Sequence, residues 1–132
     1  MFHTEILVTG TFNFCHADHC RLLAYAAEYG EVTVGINAQS YLDGKYGSRA
    51  VAQNDRIFVL ESNRWVSEVV VFEEDDPSEL IRRLRPRYYV KGPDYKGVRL
   101  PEDAALLEVG TTLLIRPGIR KYSSTELVSG KT

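Results

Sequence analysis

Apolar positions along this chain come in short runs separated by amphipathic stretches. Glu5 to Thr9 (EILVT), Glu31 to Ile36 (EVTVGI), Glu68 to Phe72 (EVVVF), Arg87 to Lys91 (RYYVK) and Thr111 to Ile115 (TTLLI) are rich in Val, Ile, Tyr and Thr at strand length. Between them the spacing predicts helices over Ala17 to Tyr29, Asn54 to Asn63 and Pro77 to Leu84. Gly30 follows the first helix where a C-terminus favours glycine, Ile57, Leu60 and Arg64 recur at turn spacing, and Pro77 sits near the first turn of the third.

Strands apolar on both faces and alternating with helices imply a parallel sheet covered on both sides. The expected fold is therefore a Rossmann-like three-layer α/β domain with a five-stranded parallel sheet, spanning 1–132 as a single domain. Ligands of such sheets bind beyond the carboxyl ends of the strands, where the strand order reverses. The informative loops are then 10–16, 37–49, 92–97 and 117–125. Residues 38–51, with Gly44 and Gly47, read as a mobile loop.

Composition narrows the function classes. The chain is 44% hydrophobic and 26% charged, an ordinary globular balance, and no apolar run reaches the roughly 18 residues needed to cross a bilayer. The start, Met1-Phe2-His3-Thr4-Glu5, lacks the basic opening of a secretory signal, so the expectation is a cytoplasmic protein with no membrane partner. Two cysteines cannot form a disulfide framework. The formal charge of -2 is unevenly spread, with 5 Lys+Arg against 12 Asp+Glu in residues 1–76 and 11 against 6 in 77–132, so the second part could face an anion. Arg82, Arg83, Arg85 and Arg87 are expected only to solvate a helix and its exit. The pI of about 5.9 and the absence of a basic, aromatic-interleaved stripe speak against nucleic acid.

The densest chemistry lies in Cys15-His16-Ala17-Asp18-His19-Cys20, directly after Thr9-Gly10-Thr11-Phe12-Asn13-Phe14, at the passage from first strand to first helix. A helix start leaves N–H groups unpaired and carries partial positive charge, so two imidazoles there suit an anion such as phosphate. A four-ligand metal site is geometrically excluded. On one helix His16 and His19 project about 60° apart but Cys15 and Cys20 about 140° apart. The cysteines read as small hydrophobes and Asp18 as a helix-start acid.

Gly10-Thr11-Phe12-Asn13-Phe14-Cys15-His16-Ala17-Asp18-His19 resembles the Gly-Thr-Phe-Asp-x-x-His-x-Gly-His opening of the cytidylyltransferase-like nucleotidyltransferases. Val90-Lys91-Gly92-Pro93-Asp94-Tyr95 is similar to the Val-Lys-Gly-Gly-Asp-Tyr segment of the ADP-heptose synthase adenylyltransferase domain, and Tyr122-Ser123-Ser124-Thr125 to a late Ile-Ser-Thr-Thr of the same families. Three ordered motifs cover most of the chain.

The resemblance implies that an acceptor phosphate attacks the α-phosphorus of ATP or CTP and that pyrophosphate leaves with magnesium assistance. An anionic nucleophile needs no general base, so positioning and charge neutralisation suffice. It further implies catalytic roles for His16, His19 and Lys45, and nucleotide contacts from Thr9, Gly10, Thr11, Phe12, His16, His19, Lys91, Gly92, Asp94, Tyr122, Ser123, Ser124 and Thr125. Asn37, Lys45, Arg49 and Arg120 would contact the phosphorylated sugar or polyol. Similar proteins are commonly homodimers. Ser123-Ser124-Thr125-Glu126 also reads independently as a capping box, and Gly92-Pro93 as a tight turn.

Two positions depart from the motif. Asp18 stands where glycine is usual, and could obstruct or repel a triphosphate; Asn13 replaces aspartate. A glycerol-phosphate cytidylyltransferase, or a nucleotide-binding module that has lost catalysis, is the alternative reading.

Overall fold

The computed structural model describes residues 1–118. Its strands are β1 (Thr4–Gly10), β2 (Val32–Asn37), β3 (Glu68–Phe72), β4 (Pro86–Lys91) and β5 (Thr112–Ile115). They form one parallel sheet in the order β3-β2-β1-β4-β5. The register pairs Val8 with Val34 and Leu7 with Tyr89, so β1 is central and the order reverses between β1 and β4. The five expected strands are all present and the fold class is as expected.

Strand alternation splits the interior into two cores. Ile6, Val8, Val34, Ile36 and Val90 face one side, where they meet Leu23 and Ala26 of α1 (Ala17–Ala27) and Leu60 of α3 (Gln53–Glu61). Leu7 and Tyr89 face the other, against Leu80 and Ile81 of α4 (Ser78–Leu84) and Ala105, Leu106 and Val109 of α5 (Asp103–Val109). These are the three layers. Gly35 on β2 permits the tight α4 packing, because a Cβ there would stand 2.5 Å from Leu80 Cδ2.

Three stretches differ from expectation. Residues 38–51 are not simply a loop: they hold α2 (Gln39–Tyr46) and a 3-10 turn (Gly47–Arg49). Leu42 is the one buried residue of α2, too few for a readable apolar stripe, yet it is fully buried and docks the helix. α5 is a further helix that the apolar spacing does not predict. The expected Ala17 to Tyr29 helix stops at Ala27, and Gly30 lies beyond its cap at φ 153. No described helix is long and apolar enough to cross a membrane.

Candidate functional site

β1 ends at Gly10, and Phe12 then takes a left-handed conformation, φ 48. That geometry is strained for a bulky side chain, by about 1–3 kcal/mol. It lays the buried Phe12 ring under His19, with centroids 4.6 Å apart, and over Gly10, where a Cβ would lie 3.3 Å from the ring. His16 is the N-cap of α1 and His19 its third residue. The His16 backbone N–H donates to His19 Nδ1 at 3.4 Å, and the two imidazoles stack at 3.9 Å. The double-histidine spacing thus forms a capping box at the end facing the strand tips. Burial, followed by the neighbouring His16, lowers the His19 pKa from 6.5 to about 3, so His19 is a neutral N–H donor at physiological pH.

Cys15 and Cys20 flank this box at the two positions of a hydrophobic staple. Burial and the adjacent Cys20 push the Cys15 thiol up to about 12, and Cys20 Sγ accepts from Asn63 Nδ2 at 3.5 Å. Cys15 is therefore a packing thiol rather than a thiolate.

The departures from the motif have local explanations. Asp18 is buried, and its Oδ1 takes a 2.6 Å bond from Arg21 Nη1, one helical turn on, so the carboxylate carries its own counter-charge. Asn13 is also buried. Its amide donates to the Arg49 carbonyl at 3.2 Å and accepts from the Val51 N–H at 2.7 Å. Aspartate could not make the first of these bonds.

A cavity of about 390 Å³ covers the carboxyl ends of β1 and β4, within the range of small-ligand sites. Thr9, Gly10, Thr11, Phe12, His16 and His19 line it from the β1–α1 side. Lys91, Gly92 and Asp94 line it from β4 and the following 3-10 turn (Pro93–Tyr95). Asn37 and Lys45 close it from β2 and α2. Most of the expected residues are therefore brought together from segments far apart in sequence. Arg49 is not: it is exposed and does not line the cavity, and its carbonyl serves Asn13 instead. Arg82, Arg83, Arg85 and Arg87 lie away from it, as expected of a solvated helix face. Arg120, Tyr122, Ser123, Ser124 and Thr125 lie outside the described residues.

The structure adds groups that no motif signalled. Arg56 of α3 is almost wholly buried, donating to the carbonyls of Thr11 at 3.0 Å, Asn37 at 2.8 Å and Val51 at 3.2 Å. It clamps the β1 and β2 exits, and burial lowers its pKa. Glu102, the N-cap of α5, is buried at the cavity wall and accepts from Tyr89 Oη at 2.5 Å. Tyr41, Tyr46, Asp75 and Asp76 line the end near Asn37. Among the described residues no three His, Cys, Asp or Glu side chains converge as a metal cage. A magnesium ion would fit as a companion of the triphosphate, held largely by phosphate and water oxygens, with at most one or two cavity carboxylates.

An open parallel sheet, a double-histidine helix start and a lysine across the β1/β4 reversal thus meet at one cavity. The chain belongs to the cytidylyltransferase-like family, whose family model matches residues 7–128. It is 39% identical over 129 residues to the bifunctional protein HldE of Streptomyces coelicolor, covering 96% of this chain and 28% of that protein. To HldE of Campylobacter curvus it is 42% identical over 95 residues, 70% of this chain and 20% of that one. It thus spans about a quarter of the length of the curated relatives it matches. A lipopolysaccharide core biosynthesis protein from Thermoplasma volcanium shares the fold at TM-score 0.69 and 19% identity, over 91% of this chain and 98% of that one. Pantothenate synthetase from Thermus thermophilus does so at TM-score 0.64 and 15% identity, over 95% and 62%.

Proposed function

We propose that this chain joins a nucleoside monophosphate, taken from ATP or CTP, to a phosphorylated sugar or polyol and releases pyrophosphate. The observation that carries the reading is the convergence of the α1 N-terminus, the His16/His19 stack and Lys91 on one cavity at the sheet's reversal point. An acceptor phosphate oxygen attacks the α-phosphorus; a new P–O bond forms as the bond to the β-phosphate oxygen breaks. Charge builds on the departing pyrophosphate, and the neutral His19 imidazole N–H, the His16 imidazole, helix N–H groups and the Lys91 ammonium are suited to meet it. Magnesium bound with the triphosphate would neutralise further negative charge.

Asn37 and Lys45, at the far side of the cavity, are the proposed acceptor contacts, Lys45 doubling as a phosphate ligand. Arg49 would need to swing inward to join them. Arg120 and the segment Tyr122, Ser123, Ser124 and Thr125 enter the reading through motif similarity alone. The motif resemblance makes ATP with a heptose or hexose phosphate the first pair to try, and CTP with glycerol 3-phosphate the second. A cytoplasmic setting and a homodimer belong to the same proposal. The pairing of Asp18 with Arg21 favours a working enzyme over a module that has lost catalysis, since the carboxylate is already neutralised. A pyrophosphate-release matrix of four nucleoside triphosphates against sugar 1-phosphates and glycerol 3-phosphate tests it. Turnover with at least one pair is expected; binding of nucleotide without release across the panel contradicts it.

A further inference from the structure

Along the cavity wall runs a chain of polar groups, of which Tyr89 and Glu102 have no part in the reaction as described. Thr9 Oγ1 lies 2.6 Å from Tyr89 Oη, and Tyr89 Oη lies 2.5 Å from Glu102 Oε2. A carboxylate can only accept, so Tyr89 donates to Glu102 and Thr9 donates to Tyr89. The chain crosses three elements, β1, β4 and the start of α5, at the β1/β4 reversal point. It ends at Lys91, whose Nζ lies 3.9 Å from the same Glu102 oxygen and 4.7 Å above the Tyr95 ring. In the Lys91–Glu102 pair the lysine side chain is only 13% exposed and the buried glutamate 4%, which separates it from a solvent-screened surface bridge.

Among the described residues, charged and titratable groups reach the ammonium from several elements. Glu102 faces it from α5, Asp94 and Tyr95 from the 3-10 turn, and Tyr89 from its own strand; Arg116, after β5, lines the same cavity, as do His16 and His19 opposite. Burial pulls Lys91 down from its ordinary value, and Glu102 followed by Asp94 pulls it back up. A long flexible side chain of this kind has no fixed position without a partner.

We propose that Glu102 is a positioning residue for Lys91: held by Tyr89 and Thr9, its carboxylate fixes the ammonium at the triphosphate site and supplies its counter-charge until phosphate oxygens arrive. This rests on the nucleotidyl-transfer reading, in which Lys91 touches the triphosphate. Glu102 contacts no substrate and acts through Lys91. The Tyr89 hydroxyl sets the carboxylate's orientation, and the Thr9 hydroxyl sets that of Tyr89.

The test is a double-mutant cycle on binding, which needs no turnover. Calorimetric titration with ATP and with inorganic tripolyphosphate is run on the wild type, Glu102→Gln, Lys91→Met and the double variant, each with its melting temperature. Glu102→Gln keeps an acceptor for Tyr89 while removing the charge. The expected result is a five- to tenfold weaker affinity in Glu102→Gln and a change of less than twofold when Lys91 is already Met. Should Glu102→Gln fail to fold, Tyr89→Phe, alone and with Lys91→Met, carries the same cycle, with a two- to threefold loss expected only where Lys91 is present. Equal or tighter binding by Glu102→Gln, or a loss that persists without Lys91, overturns the inference while leaving nucleotidyl transfer standing. A wild type that binds neither ATP nor tripolyphosphate overturns both.

Discussion

Arg21 Nη1 stands 2.6 Å from Asp18 Oδ1 across one turn of α1, so the carboxylate at the motif's glycine position reaches the cavity with its charge already matched. The arginine is half exposed and the aspartate almost fully buried, so removing Arg21 uncovers a negative charge beside the proposed triphosphate site. Arg21→Ala is expected to weaken ATP binding by a factor of about 2–5, the scale of a partly exposed ion pair. Asp18→Asn in the same chain should restore it. Unchanged binding in Arg21→Ala would mean that the pair only caps the helix.

The stacked histidines yield a kinetic expectation. His16→Ala and His19→Ala should each lower turnover by about 10²–10³, the cost of removing one preorganised donor to developing charge, with a smaller effect on nucleotide affinity. A loss of melting temperature with unchanged turnover would make the stack structural.

His19 also gives stability a pH signature. Its folded pKa of about 3 lies below the unfolded value of 6.5, chiefly through burial. Above pH 6.5 both states are neutral at this site and its contribution is fully present. Between pH 6.5 and 3 the unfolded chain takes up a proton that the folded site refuses, so stability falls with pH, by at most about 1.4 kcal/mol per pH unit. Urea midpoints from pH 7 to 5 should fall more steeply in the wild type than in His19→Gln. Parallel curves would show that His19 accepts its proton in the folded protein.

Asn13→Asp, which restores the usual motif residue, should destabilise this chain. The amide donation to the Arg49 carbonyl is lost and a carboxylate oxygen faces that carbonyl instead, at a cost of about 1–3 kcal/mol in urea unfolding. Equal stability would indicate that the Val51 N–H bond alone fixes the loop.

What could be read from the sequence followed local pattern. Ile6, Leu7 and Val8 announce a strand buried on both faces, Val69, Val70 and Val71 a strand, and the passage from the first strand into Ala17 places His16 and His19 at a helix start. Residues whose roles depend on burial were opaque. Arg56 sits in a helix that looks half solvated, and only the approach of the β1 and β2 exits turns it into an internal clamp. Glu102 looks like a surface acid after Pro101 until Tyr89, eighty residues from Thr9, is laid against β1. For α2, Gln39–Tyr46 offers a single buried side chain, Leu42, and no periodicity to detect.

The central claim is transfer of the α-phosphoryl group with its nucleoside to a phosphorylated acceptor. Parallel incubations with α-labelled and γ-labelled nucleoside triphosphate, resolved by product, test it most directly. The expected result is α-label in a nucleotide-linked sugar or polyol and γ-label in pyrophosphate, in equal amounts, with both lost in His16→Ala. Label confined to intact triphosphate across the acceptor panel, or γ-label released as inorganic phosphate, would contradict it.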